Sequence, residues 1–246
     1  MPPKVDAFRT SDVLKGRQAM PGGSFLHHLP GNTWPLLVST WGLDTRVYER
    51  DEELPLGPGD GSVYILLGGC VLQERFPFGP GAASIRITRF RGAGELLGEA
   101  KLIAPEATVT TVCLTTTWVM PCPVQRMNLL LRRQPETQLA LLRSLEDRNR
   151  SDELVYCTPT RSPVQRVGGL LLHLAAIAGR TNSADPGHVT ILGPTQRDIA
   201  EALLMGVSTV ENAVRTLRDG HGAITTRYRQ FAVTDLQALR DIAMPA

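Results

Sequence analysis

Lysine is almost missing from this 246-residue chain: Lys4, Lys15 and Lys101 stand among 26 cations, and the rest are arginine. Nearly every cation is thus a planar, forked donor suited to phosphate or carboxylate, although coding bias is the simpler source of the usage. An excess of one charge sign is missing too. The 24 acids leave a formal net charge of +2, so no global basic field points to nucleic acid. From Thr158 onward 9 arginines face 7 acids, and recognition of an anionic partner must rest on the placement of a few side chains. Long apolar runs are absent. With 42% hydrophobic and 20% charged residues the composition is that of a water-soluble globular protein, and no stretch approaches a membrane span. The N-terminus has no apolar signal core, which predicts a cytoplasmic location. Cys70, Cys113, Cys122 and Cys157 form no CxxC pair, so no metal site is indicated and the thiols read as reduced, mostly core residues. A redox or metal sensor would need partners that only the fold could supply. Nucleophile elbow, P-loop, HExxH and paired catalytic carboxylates are all missing, and His27, His28, His173, His188 and His221 form no triad; an enzyme is not expected.

What is present has a clear order. Residues 1–23 are polar, broken by Pro and Gly, and expected to be a flexible segment. Ser24 to Leu26 and Trp34 to Leu37 predict two small helices. Between Arg46 and Met120 short β-rich runs alternate with glycine turns: Val63 to Leu67, Cys70 to Leu72, Ser84 to Thr88, Ala107 to Val112 and Thr117 to Met120. Such a series predicts an antiparallel roll, jelly roll or barrel over 24–122. A helical region, 123–157, follows, with one helix from Val124 to Arg133 and a second from about Glu136. In the second helix Leu139, Leu142 and Leu145 form a narrow stripe, which fits a homodimer seam or packing onto the same domain. Tyr156 to Thr160 reads as a hinge. Beyond it, 158–246 holds an apolar helix from Val164 to Ala178, a polar loop from Gly179 to Gly187, two helices within Thr195 to Leu217, a hairpin from Ala223 to Val233 and a closing helix from Asp235. The fold class is α+β.

Thr195 to Leu217 has the spacing of a helix-turn-helix. Thr195 can cap the first helix, and Ile199, Ala200 and Leu203 supply its inner face. Val210, Ala213, Val214 and Leu217 supply that of the second. The outer face is left with Ser208, Thr209, Glu211, Asn212 and Arg215, side chains able to meet base edges and phosphates. An ordinary αα-hairpin would have the same core. The turn Gly220 to Gly222 and the hairpin bearing Arg227 and Arg229 turn the balance toward a winged helix.

With the order of parts on view, the chain resembles the CRP/FNR superfamily of transcription regulators over about residues 24–243. Three stretches carry the likeness: Gly94 to Ile103 (GELLGEAKLI), similar to the family's phosphate-binding cassette; Val63 to Val71 (VYILLGGCV), similar to its early roll strands; and the helix-turn-helix. The resemblance implies a β-roll effector domain, a long dimerisation helix and a winged helix-turn-helix acting on double-stranded DNA at an inverted repeat, with RNA polymerase as a further partner. It implies no enzyme activity and no membrane association.

The effector pocket it implies, Gly98, Glu99 and Thr108, is degenerate. Pro105 stands where cyclic-nucleotide-binding members place an arginine on the phosphate, and Glu106 follows it. Losing such a contact removes about 1.5–3 kcal/mol, so no cyclic AMP dependence and no cofactor is expected. Arg86, Arg89 or Arg91 could replace the missing cation only if the fold delivers one of them. No cysteine precedes Cys70, which speaks against an iron-sulfur sensor, and His27-His28 is a weak basis for haem. In the recognition helix the family's frequent Arg, Glu and Arg fall on Val207, Ser208 and Asn212, so Asn212 would read adenine and Val207 a thymine methyl. Thr195, Gln196, Thr209 and Arg227 match backbone-holding positions. Leu204 occupies the usual glycine of the turn, and a register with Met205 and Gly206 at the turn stays open. An interaction module that kept the fold but docks on another regulator, and a sensor of a different small molecule, are the alternative functions.

Overall fold

The computed structural model describes residues 10–57, 59–76, 86–107, 109–182 and 185–244. Its residues divide into two compact units, Arg9–Asn149 and, with the N-terminal residues, Arg150–Ala246. The division falls inside a helix, ahead of the expected hinge.

In the first unit, α1 (Thr10–Leu14) lies within the segment expected to be flexible. From this helix Val13 is buried, and the Trp34 indole donates to its carbonyl at 2.8 Å. The two small helices are α2 (Phe25–His28), capped by Ser24, and α3 (Thr33–Trp41). After a 3-10 turn the strands follow: β1 (Arg46–Tyr48), β2 (Ser62–Gly68), β3 (Val71–Arg75), β4 (Ile87–Arg91), β5 (Leu96–Leu97), β6 (Thr110–Cys113) and β7 (Thr117–Pro123). They form one sheet of order β1-β7-β2-β5 and another of order β4-β3-β6, antiparallel throughout. Tyr64, Leu66, Val71, Leu97, Cys113 and Val119 fill the space between, with Leu54 and Leu56. Of the strand expected at Ser84 to Thr88, residues 84 and 85 lie outside the described ones; β4 includes Ile87 and Thr88 and continues to Arg91, with Phe90 buried opposite Leu72.

Next come α4 (Val124–Arg133) and α5 (Pro135–Tyr156). The buried face of α5 carries Thr137, Ala140, Leu141 and Ser144, spaced as one side of a helix. Leu139 and Leu142 are 45% and 55% exposed, so they are not what packs this helix onto its own unit. Leu145 is half-buried.

In the second unit, α6 (Pro163–Ala178) starts at a capping box of Ser162 and Gln165 and buries Val167, Leu170, Leu171 and Leu174. The polar stretch expected as a loop forms a sheet instead: β8 (Arg180–Asn182) pairs with β9 (Asp185–Leu192), drawn in by burial of Val189 and Ile191. Then come α7 (Gln196–Leu203), α8 (Val207–Arg215), a π-type turn Thr216–Gly220, the hairpin β10 (Ile224–Arg227) and β11 (Gln230–Val233), and α9 (Leu236–Ala243). The strand order is β10-β11-β9-β8, and α9 packs on α6. Among the described residues no helix is long and apolar enough to cross a membrane, and no cluster of His, Cys, Asp or Glu could hold a metal.

Candidate nucleic-acid interface and effector cleft

Helix α7 begins at Thr195, whose Oγ1 accepts from the Asp198 amide at 3.1 Å while Asp198 Oδ2 accepts from the Thr195 amide at 2.7 Å. The Thr195 hydroxyl also donates to Asp198 Oδ2, so the residue expected to hold a phosphate is committed to the cap. Gln196, the first helical residue, is half-buried. The helix ends at Leu204 with φ 52 and ψ 51, the left-handed conformation that glycine adopts without strain. Leu204 therefore takes the glycine position itself. Gly206 caps α8 in an extended conformation, so the ungapped register is the one adopted.

Ile199, Ala200, Leu203, Val210, Ala213, Val214 and Leu217 are buried, closing the two helices on each other as their spacing predicted. The Arg166 guanidinium of α6 donates to the Leu203 carbonyl at the end of α7. What remains on the outside of α8 is Val207, Ser208, Glu211, Asn212 and Arg215, all exposed, with Thr209 half-buried. Arg215 Nη1 donates to Asn212 Oδ1 at 3.2 Å, so these two side chains hold each other on the open face. In the hairpin Arg227 is exposed and Arg229, with φ 50, sits at the turn. Tyr228, unmentioned by the sequence reading, is 87% exposed there, with the Arg229 guanidinium 5.8 Å from its ring centroid. Arg218 is exposed but spent: it grips both oxygens of Asp219 at 2.7 and 2.9 Å, and that bond holds the Asp219 carboxyl below its ordinary range.

The cassette lies in the other unit. Gly98 has φ +76, and a Cβ there would stand 2.6 Å from the end of the Leu56 side chain, so any other residue would be strained and would have to displace that leucine. It opens the 3-10 turn Glu99–Leu102. Glu99 is buried, and its Oε1 accepts from two guanidiniums: Arg75 at the end of β3, at 2.9 Å, and Arg148 of α5. Burial alone would raise its pKa, but the charges of Arg148 and Arg75 outweigh it and hold the carboxyl below its ordinary range. Arg148 also lies 3.9 Å from Glu95, which in turn lies 3.7 Å from Arg91. Two residues on from Glu99, the fully buried Lys101 ammonium donates to the carbonyls of Gly57 and Asp60 and to the Asp60 carboxylate.

A cleft of about 410 Å³ opens beside Glu99, lined by Arg75, Phe76, Ile87, Ala107 and Val109 among others. Arg75 thus lines the cleft as a guanidinium already paired with Glu99. The three arginines that could have substituted only if the fold delivered them bond elsewhere: Arg86 with Glu74, Arg89 with the Thr88 carbonyl, and Arg91 with Gln73. Pro105 and Glu106 are exposed, and Thr108 lies outside the described residues. Arg75 and Arg148 had no signal in the sequence, being 24 and 49 residues from Glu99.

Residues 165–242 match the Crp-like helix-turn-helix domain family. The structure is similar to that of a protein from Ruegeria pomeroyi described as cyclic nucleotide-binding, with a TM-score of 0.65 and 23% identity over 96% of this chain and 99% of that one. A CRP-family transcriptional regulator from Thermus thermophilus gives a TM-score of 0.63 at 22% identity, over 80% of this chain and 96% of its own. FixK2 from Bradyrhizobium japonicum gives 0.63 at 19% identity, over 82% and 98%. No curated protein matches significantly. The chain thus carries a Crp-like helix-turn-helix domain and has, over most of its length, the fold of the CRP/FNR-type transcription regulators.

Proposed function

We propose that the protein is a homodimeric, cytoplasmic, sequence-specific DNA-binding regulator that works without cyclic AMP. The observation that carries the reading is the outer face of α8, where Val207, Ser208, Glu211, Asn212 and Arg215 stand exposed on a helix whose inner side is fully packed. Gln196, Thr209, Arg227 and Arg229 would contribute backbone contacts, which depend little on base sequence, while Thr195 would serve only to fix the start of α7. Leu139 and Leu142 support a homodimer: they are apolar, exposed, and on the side of α5 that its own unit leaves uncovered. Two equivalent recognition helices call for an inverted repeat with half-sites about one helical turn apart. Selection from random duplexes should return such a repeat; salt-dependent binding to all sequences alike would overturn the reading. A Leu142→Glu variant should lose the dimer in sedimentation, and an unchanged mass would refute the seam.

A second reading, docking on another regulator or on RNA polymerase without sequence-specific DNA contact, is favoured by the near balance of 9 arginines and 7 acids from Thr158 onward. The Arg227→Ala, Arg229→Ala double variant separates the two, because only the first reading requires it to lose operator binding.

A further inference from the structure

We infer that the cleft beside Arg75 and Glu99 is a binding site for a small monocarboxylic acid with an apolar body. The inference rests on reading the β-roll as an effector domain and gives that domain a ligand class. It begins with charge. Glu99 offers one carboxylate to two guanidiniums, and both bond the same oxygen, Oε1. Arg148 has a second carboxylate within reach, that of Glu95. Arg75 has Glu99 alone among the described residues, through a single N–H of Nη2, and its side chain is half exposed where it lines the cleft. The other N–H groups of its fork are open to a carboxylate, which accepts two of them side by side.

The ionised Glu99 limits the ligand from the other side. Arg75 can face one ligand charge beside the ionised Glu99, whereas a second ligand charge would meet that carboxylate without a cation, so one carboxylate suits the cleft better than a phosphate monoester dianion. Among the described residues the lining beyond Arg75 and Glu99 is apolar, with Phe76, Ile87, Ala107 and Val109 its larger part. A hydrocarbon body would bury these walls and itself.

The test uses the full chain and a matched pair of probes, octanoate and octanol, with inorganic phosphate as a third, in isothermal titration. Octanoate should bind, with octanol and phosphate each roughly ten-fold weaker or more. Arg75→Gln should weaken octanoate by about the same factor and leave octanol unchanged, and Arg75→Lys should restore part of the loss. Circular dichroism of each variant should match the parent. Absence of octanoate binding to the folded parent, equal binding of octanoate and octanol, phosphate binding as tight as octanoate, or an Arg75→Gln variant as tight as the parent would each overturn the site. Duplex selection on the same protein reports separately on the regulator reading: an inverted repeat without octanoate binding removes the ligand class alone, and loss of both removes the regulator as well.

Discussion

The two units carry their polar groups in opposite ways. In the winged helix the outer residues of α8 stand in water, and the core beneath them is wholly apolar. In the roll, Glu99, Lys101, Gln73 and Arg91 are buried and reach partners on a neighbouring strand, in the loop before β2 and on α5. An exposed polar side chain contributes little to folding and can be exchanged freely, whereas a buried ion pair must be complete or it destabilises. The recognition face should therefore tolerate substitution in stability but not in affinity. The cassette should show the reverse.

The largest test of that contrast is Arg148→Ala. It leaves Glu99 buried with the half-exposed Arg75 as its remaining cation, which should cost about 3–4 kcal/mol in chemical denaturation. The same ion pairs have a pH signature. The folded-state pKa of Glu99 is lowered, so its contribution is complete above the ordinary value of 4.5 and is lost as pH falls through the folded value. Glu99→Gln should flatten the acid limb of the stability profile, and an unchanged limb would mean the pairs contribute nothing. Next, Lys101→Met removes the ammonium that bonds the Gly57 and Asp60 carbonyls and the Asp60 carboxylate, and should cost roughly 2–3 kcal/mol by the same measurement. Asn212→Ala should do the opposite kind of harm: about 1–2 kcal/mol of operator affinity by gel shift, relaxed selectivity at one base pair, and an unchanged melting midpoint. The smallest effect is Leu204→Gly. Leu204 is 77% exposed, so little packing is lost, and relief of its left-handed backbone should raise stability by about 1 kcal/mol or less.

The same contrast explains what the sequence could reveal. The winged helix was legible because its determinants are local: a capping residue, an apolar spacing within Thr195 to Leu217, and a turn before the hairpin. The register ambiguity at Leu204 was one of backbone conformation, which composition does not encode. The β8 strand escaped notice because it is three residues long, polar, and held by its pairing with β9. In the roll, Gly98 and Glu99 were identifiable from their motif, but Arg75 and Arg148 were not. Their roles exist only once β3, the cassette and α5 meet, and nothing in the residues around them marks those meetings. Arg86, Arg89 and Arg91 attracted attention by proximity in sequence, and each is taken up by a nearer partner: Glu74, the Thr88 carbonyl and Gln73.

Helix α5 carries Leu141 and Arg148 seven residues apart, on one side, and Leu139 and Leu142 on another. The two sides are locked in phase by the helical repeat, which turns about 100° per residue. One residue inserted between Leu142 and Arg148 would leave each side chain intact and every local preference satisfied, yet swing the arginine away from Glu99 or the leucines around the helix. The helix therefore works as a keyed shaft, whose length in residues, rather than its composition, keeps the cassette and the apolar seam in step.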